Sequence, residues 1–224
     1  MKPLSRTENM TDRLPEFLGF SLIILFLNCP LIWGHHFDTM VFLPESVKTG
    51  QWWRIISHPF VHLTWYHLLL DAGAFLLLYH GLKEQHRLMR ILYVIACGAG
   101  SLLTSLWMSP VVSAQGLCGL SGIAHGLMAV SALEEMENKS HDRRDGLIGA
   151  VMFAVVVGKC VVEVVNDQVL FQFLHFGMMG HPVATCHAGG VLAGIITFLI
   201  CHHQNKGCLY KLGHRPEFKA CFWS

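Results

Sequence analysis

The sequence predicts an all-α membrane protein, a bundle of six transmembrane helices with both termini on the cytoplasmic side. Hydrophobic residues make up 53% of the 224-residue chain and charged residues only 14%, against about 25% charge in an ordinary soluble domain. Six apolar segments each approach the ~20 residues a helix needs to cross about 30 Å of hydrocarbon. Lysine and arginine segregate into alternate connections, as orientation in a bilayer requires. The formal net charge of +1 offers no basic surface for nucleic acid. The lipid bilayer and membrane-anchored proteins are the expected partners.

The segments run near 17–34, 65–82, 88–108, 118–135, 147–165 and 182–202, giving a cytoplasmic segment 1–16, a six-span domain 17–203 and a cytoplasmic tail 204–224. The first follows Lys2, Arg6 and Arg13 and has no A-x-A-like cleavage site after it, so it reads as a retained span rather than a signal peptide. The second opens with His67 and Asp71, and the third follows Lys83, Arg87 and Arg90. The fourth opens on Gly119-Leu120-Ser121-Gly122 and is followed by Lys139, Arg143 and Arg144. The fifth contains Lys159 and Glu163, one turn apart, and the sixth contains His187 and leads to Lys206, Lys211, Arg215 and Lys219. The opposite face receives only Lys48 and Arg54. The first, third and fifth connections therefore face outward, and Trp33, Trp52, Trp53, Trp65 and Trp107 gather at the outer interface, where indoles prefer to sit.

This topology puts the polar residues in one layer. Ser121 lies in the first turn of span four, and His187 lies about five residues into span six, roughly 7 Å deep at 1.5 Å per residue. His62, His67 and Asp71 straddle the start of span two, again from outside. A serine hydroxyl is a weak nucleophile until a neighbouring base takes its proton, and the oxyanion it generates needs donors aimed at it. Ser121 and His187 supply the first pair. The Ser121 amide, free because first-turn amides lack intrahelical partners, and a ring N–H of His67 supply the donors. Gly116, Gly119 and Gly122 allow a substrate backbone to approach closely, or equally a neighbouring helix.

Three blocks together resemble the rhomboid intramembrane serine proteases over roughly residues 50–200. They are Trp53-Arg54 with His58, His62, His67 and Asp71; Gly119-Leu120-Ser121-Gly122, similar to the family's G-x-S-G; and His187 with Gly190 and Gly194. The resemblance implies Ser121 as nucleophile and His187 as general base, a dyad without a carboxylate orienter. It implies an oxyanion hole supported by His67, Asp71 and Leu120 beside the Ser121 amide. Gly190 and Gly194 would let span six pack against span four, since small residues at four-residue spacing permit close helix contact.

Three departures from the family pattern bear on function. Asp71 stands where the family usually has Asn; either it is protonated and donates, or it orients His67. His125 stands where many rhomboids place a tyrosine against the catalytic histidine. The string G-L-S-G-x-x-H-G resembles the bacterial rhombosortase branch, which implies substrates bearing a C-terminal Gly-Gly sorting tail, cut at the periplasmic face of the inner membrane. Lys159 and Glu163 are the third: charges within a span are costly and often functional. They form either a self-neutralising pair or, for Glu163, a recognition group beside the path by which substrate reaches the site.

The other polar residues have plainer readings. His58 and His62 brace the outer loop, and Trp53-Arg54 anchors it at the interface. His35, His36, His202 and His203 fall at span ends, and His141, His175, His181 and His214 in loops or tail. No H-E-x-x-H or C-x-x-C string occurs, so no metal or other cofactor is expected. The eight cysteines mostly lie within spans as small apolar residues, although Cys118 and Cys186 are both on the outer side, where a pair is conceivable. Two rival functions are a haem-binding membrane carrier, disfavoured because the span histidines crowd one face, and a non-proteolytic relative that binds membrane clients, disfavoured because both Ser121 and His187 are present.

Overall fold

The computed structural model describes residues 10–137, 143–170 and 183–212, with side chains from 13–137, 144–170 and 183–202. Lys2, Arg6, Lys139, Arg215 and Lys219, on which the predicted orientation partly rests, lie outside the described residues, as do His141, His175, His181 and His214. Among the described residues the chain is helical, with one isolated antiparallel bridge in which Phe42 and Leu117 exchange backbone hydrogen bonds of 3.0 Å. The helices are α1 (Met10–Asn28), α2 (Pro44–Lys48), α3 (Arg54–Ser57), α4 (Trp65–Gly81), α5 (Arg87–Met108), α6 (Pro110–Gln115), α7 (Ser121–Glu137), α8 (Arg143–Asn166) and α9 (Ala184–Leu212).

Helices stand at all six predicted positions. Four are long and apolar enough to cross a membrane, over Arg13–Trp33, Arg87–Met108, Arg144–Asn166 and Ala184–His202. A fifth is added if α4 is counted with the Arg54–Phe60 segment, from which it bends by 94°. Thr64 ends that bend by capping α4, its hydroxyl accepting the His67 N–H. Helix α7 has only 17 residues and is packed by α4, α5, α8 and α9. It occupies the centre of the bundle, and its Gly- and Ala-rich sequence lets neighbours close in from all sides.

The burial pattern is that of a protein solvated by lipid. Phe75, Leu120, Leu127 and Val130 form part of the buried core, whereas Leu22, Phe26, Leu77 and Val165 point outward. The five tryptophans predicted for the interface are all exposed. Large apolar side chains facing away from the core would be unfavourable in water and are ordinary in a bilayer.

Several buried polar groups are paired across helices. Glu16 on α1 holds Arg90 on α5 through Oε1 to Nη2 at 2.6 Å and also accepts the Tyr79 hydroxyl of α4. One buried carboxylate thus ties three helices at one end. At the other end Asn28 donates to the Ile24 and Phe60 carbonyls, both at 2.7 Å, and accepts the His62 N–H at 2.8 Å.

The expectation that Trp53-Arg54 anchors the outer loop at the interface is half corrected. Trp53 is exposed and donates to the Thr39 carbonyl, but Arg54 is buried, donating to the Asp38 and Val41 carbonyls and to Gln51. A guanidinium has five fixed donors, so it satisfies several turn carbonyls at once and braces the loop from inside. His58 braces it as predicted, its Nδ1 lying 3.1 Å and 3.0 Å from the Arg54 and Ile55 carbonyls.

Candidate active site

The turn before α7 depends on Gly119. Its φ is +102°, its N–H donates to the His58 carbonyl at 3.1 Å, and a Cβ there would lie 2.7 Å from His67 Nε2 and 2.8 Å from Asp71 Oδ2. Only glycine combines that conformation with that proximity. Ser121 therefore begins α7 directly above the polar end of α4.

The Ser121 amide, expected to be free, is not: it donates to Asp71 Oδ2 at 3.0 Å. A buried first-turn N–H needs a partner, and a carboxylate on the adjoining helix supplies it. The same Oδ2 lies 3.1 Å from His67 Nε2. His67 Nδ1 accepts the Leu63 N–H at 3.5 Å, so the ring proton is on Nε2 and is donated to Asp71. Of the two alternatives for Asp71, the geometry is that of an acceptor orienting His67. Both donors expected of an oxyanion hole converge here on a single anionic oxygen.

His62 stands behind this pair. Its Nδ1 lies 3.2 Å from Asn28 Oδ1, which can only accept, so its bare Nε2 faces Asp71 Oδ2 at 3.8 Å and has no hydrogen-bond partner among the described residues. With the proton on Nδ1 and none on Nε2 the ring is neutral. It is a wall of the site. Leu120, grouped with the oxyanion support by sequence, packs its side chain wholly into the core, and its carbonyl accepts the Ala124 N–H.

Helix α9 brings His187 to Ser121 through glycine contacts. A Cβ on Gly190 would fall 1.9 Å from the Gly122 carbonyl oxygen, and one on Gly194 would fall 2.8 Å from the Gly126 carbonyl oxygen. One on Gly122 would meet Ser101 Oγ at 2.2 Å and the Cys186 carbonyl at 2.9 Å. The predicted packing of span six on span four is therefore observed, backbone against backbone. Ser121 Oγ lies 3.8 Å from Cys186 Sγ, next in sequence to His187, and forms no direct hydrogen bond with the His187 ring. Cys118 and Cys186 are both free thiols.

The structure adds to two sequence expectations, one about His187 and one about Glu163. His187 does have a carboxylate partner: Glu163 Oε2 lies 2.7 Å from its Nδ1. Glu163, proposed from sequence to meet substrate, is fully buried. Its other oxygen accepts Lys159 Nζ at 2.5 Å and the Leu170 N–H at 2.9 Å. The predicted Lys159–Glu163 pair thus exists, and these three donors together with the full burial of Glu163 turn its carboxylate toward the bundle and away from solvent. Lys159 Nζ also reaches His125 Nε2 at 2.9 Å, and His125 Nδ1 lies 2.7 Å from the Ser121 carbonyl oxygen. The His125 and His187 rings stack with centroids 4.0 Å apart and planes 17° apart.

Sequence reasoning missed the Glu163–His187 contact because the residues sit on different helices, 24 positions apart. The one signal available was the cost of an ionisable group in a span.

A serine at a helix start, a histidine beside it and two donors converging on an anionic oxygen are the parts acyl transfer requires. The sequence model of the Rhomboid domain matches residues 49–204, a stretch that holds all of these residues. No curated protein matches the chain.

Proposed function

Since the chain belongs to the rhomboid family of intramembrane serine proteases, we propose that it cleaves membrane-anchored proteins with Ser121 as nucleophile and His187 as general base. The observation that carries this reading is the seating of Gly190 on Gly122, which holds the start of α7 and the start of α9 together at backbone contact. In the reaction Ser121 Oγ bonds to the scissile carbonyl carbon as its proton passes to His187 Nε2. The same proton then goes to the departing amine as the C–N bond breaks. Water repeats the sequence on the acyl-enzyme, transferring its proton to His187 and releasing the new carboxyl end. The Ser121 N–H and His67 Nε2–H are the donors for the developing oxyanion, and the Asp71 carboxylate, whose Oδ2 accepts both in the resting site, swings aside as the oxyanion takes its place.

The finer assignment extends to substrate and location. The chain is a six-span protein of the bacterial inner membrane with cytoplasmic termini and a periplasmic site, and its substrates carry C-terminal Gly-Gly sorting tails. The string from Gly119 to Gly126 supports the rhombosortase branch, as does the stacking of the His125 ring on that of His187. The test is co-expression of a reporter bearing a Gly-Gly sorting tail with the native protein, Ser121→Ala or His187→Ala at equal accumulation. Release by the native form alone is expected. Release by the Ser121→Ala form would sink the assignment of the nucleophile.

A further inference from the structure

The protons of the network behind His187 can be placed from its ends. The Ser121 carbonyl only accepts, so His125 donates from Nδ1; Lys159 only donates, so His125 Nε2 accepts and that ring is neutral. Lys159 and the Leu170 N–H fill Glu163 Oε1. The Oε2 oxygen is left for His187, whose Nδ1 must therefore carry the proton it donates across 2.7 Å. The unprotonated nitrogen of His187 is then Nε2, the form a general base needs.

We propose that Glu163 is a positioning residue for the reaction, a carboxylate that completes a Ser121–His187–Glu163 series, with Lys159 fixing the carboxylate from behind. The inference rests on the assignment of Ser121 and His187 made above. When His187 Nε2 takes the Ser121 proton the ring becomes an imidazolium, and its Nδ1–H remains on the ring, donated to a carboxylate that stays ionised. Glu163 thus selects the tautomer before the step and offsets the positive charge formed in it. The rigidity of the arrangement comes from three helices: α8 carries both Glu163 and Lys159, α9 carries His187, and α7 carries His125, whose ring lies against that of His187. His125 limits rotation of the imidazole about its ring plane, while Glu163 fixes which edge faces Ser121.

The structural alternative is that Glu163 merely neutralises Lys159. Removing one partner of a buried pair is destabilising, whereas removing both is often tolerated. The two roles therefore separate in a double variant. Saturable labelling of Ser121 by a fluorophosphonate, in the full-length protein in vesicles and normalised to inserted protein, reports the chemical step apart from probe binding and needs no knowledge of the natural substrate. We expect Glu163→Gln to lower the maximal labelling rate about 10²- to 10⁴-fold with half-saturation changed less than about threefold. The Lys159→Met/Glu163→Gln form should label as slowly while matching the native protein in thermal stability, and Glu163→Asp should regain part of the rate. A double variant that regained both stability and the native maximal rate would overturn the proposal in favour of charge neutralisation. Undiminished labelling of the single variant would overturn it as well. His187→Ala distinguishes the levels: if it labels at the native rate, the assignment of the base itself has failed, whereas a silent His187→Ala beside a fully active Glu163→Gln removes only the role of Glu163.

Discussion

Replacing Gly190 by Ala tests the packing on which the site depends. The added Cβ would stand 1.9 Å from the Gly122 carbonyl oxygen and 2.7 Å from its carbon, where ordinary contact begins at 3.4 Å. Both atoms are backbone, so no side chain can swing aside. Relief requires α9 to withdraw from α7 by about 3.4 − 1.9 = 1.5 Å. Ser121 adjoins Gly122, and His187 lies one turn before Gly190 on α9, so the withdrawal acts on the distance between them. A misplacement near 1 Å can cost about 10²-fold in rate, and overpacking costs about 1–3 kcal/mol of stability. We expect Gly190→Ala to insert, to melt at lower temperature in detergent and to lose about 100-fold or more in reporter cleavage or fluorophosphonate labelling. Gly19→Ala, where a Cβ meets nothing within 4 Å, serves as the silent control. Cleavage by Gly190→Ala within about threefold of native, at equal accumulation, would refute the claim that this contact sets the Ser121–His187 geometry.

Two further outcomes follow from polar contacts. Asp71 Oδ2 holds both the Ser121 N–H and His67, so Asp71→Ala should lower the cleavage rate about 10²-fold or more, while Asp71→Asn, which keeps one acceptor and adds a donor, should stay within about tenfold of native; native rates from Asp71→Ala would exclude Asp71 from the site. Glu16→Ala leaves Arg90 buried without its carboxylate, which should destabilise the protein by about 3–5 kcal/mol in detergent unfolding; a loss below about 1 kcal/mol would mean that the carbonyl contacts of Arg90 suffice to satisfy it.

The sequence by itself determined what depends on composition, periodicity and short-range spacing. Six apolar segments were expected to be helices, because a bilayer leaves backbone groups no other partner; each has its helix, and four of these, or five counting the bent pair, are long and apolar enough to cross a membrane. The placement of Ser121 and His187 near the starts of their helices was legible from their distances to the segment starts, and the tight approach at Gly190 and Gly194 from the family resemblance together with their four-residue spacing. Lys159 and Glu163 could be paired because four residues make one helical turn.

Only the tertiary structure decided where those polar groups pointed. Side-chain partners across helices depend on rotation and depth, which periodicity does not encode. A free Ser121 amide was a sound expectation for an isolated helix, yet Asp71 arrives from α4 to fill it. Glu163 read equally well as a pair for Lys159 or as a contact for substrate. The packing of α8 on α9 and α7 turned it inward, where a buried carboxylate must fill its lone pairs, and His187 was the donor within reach.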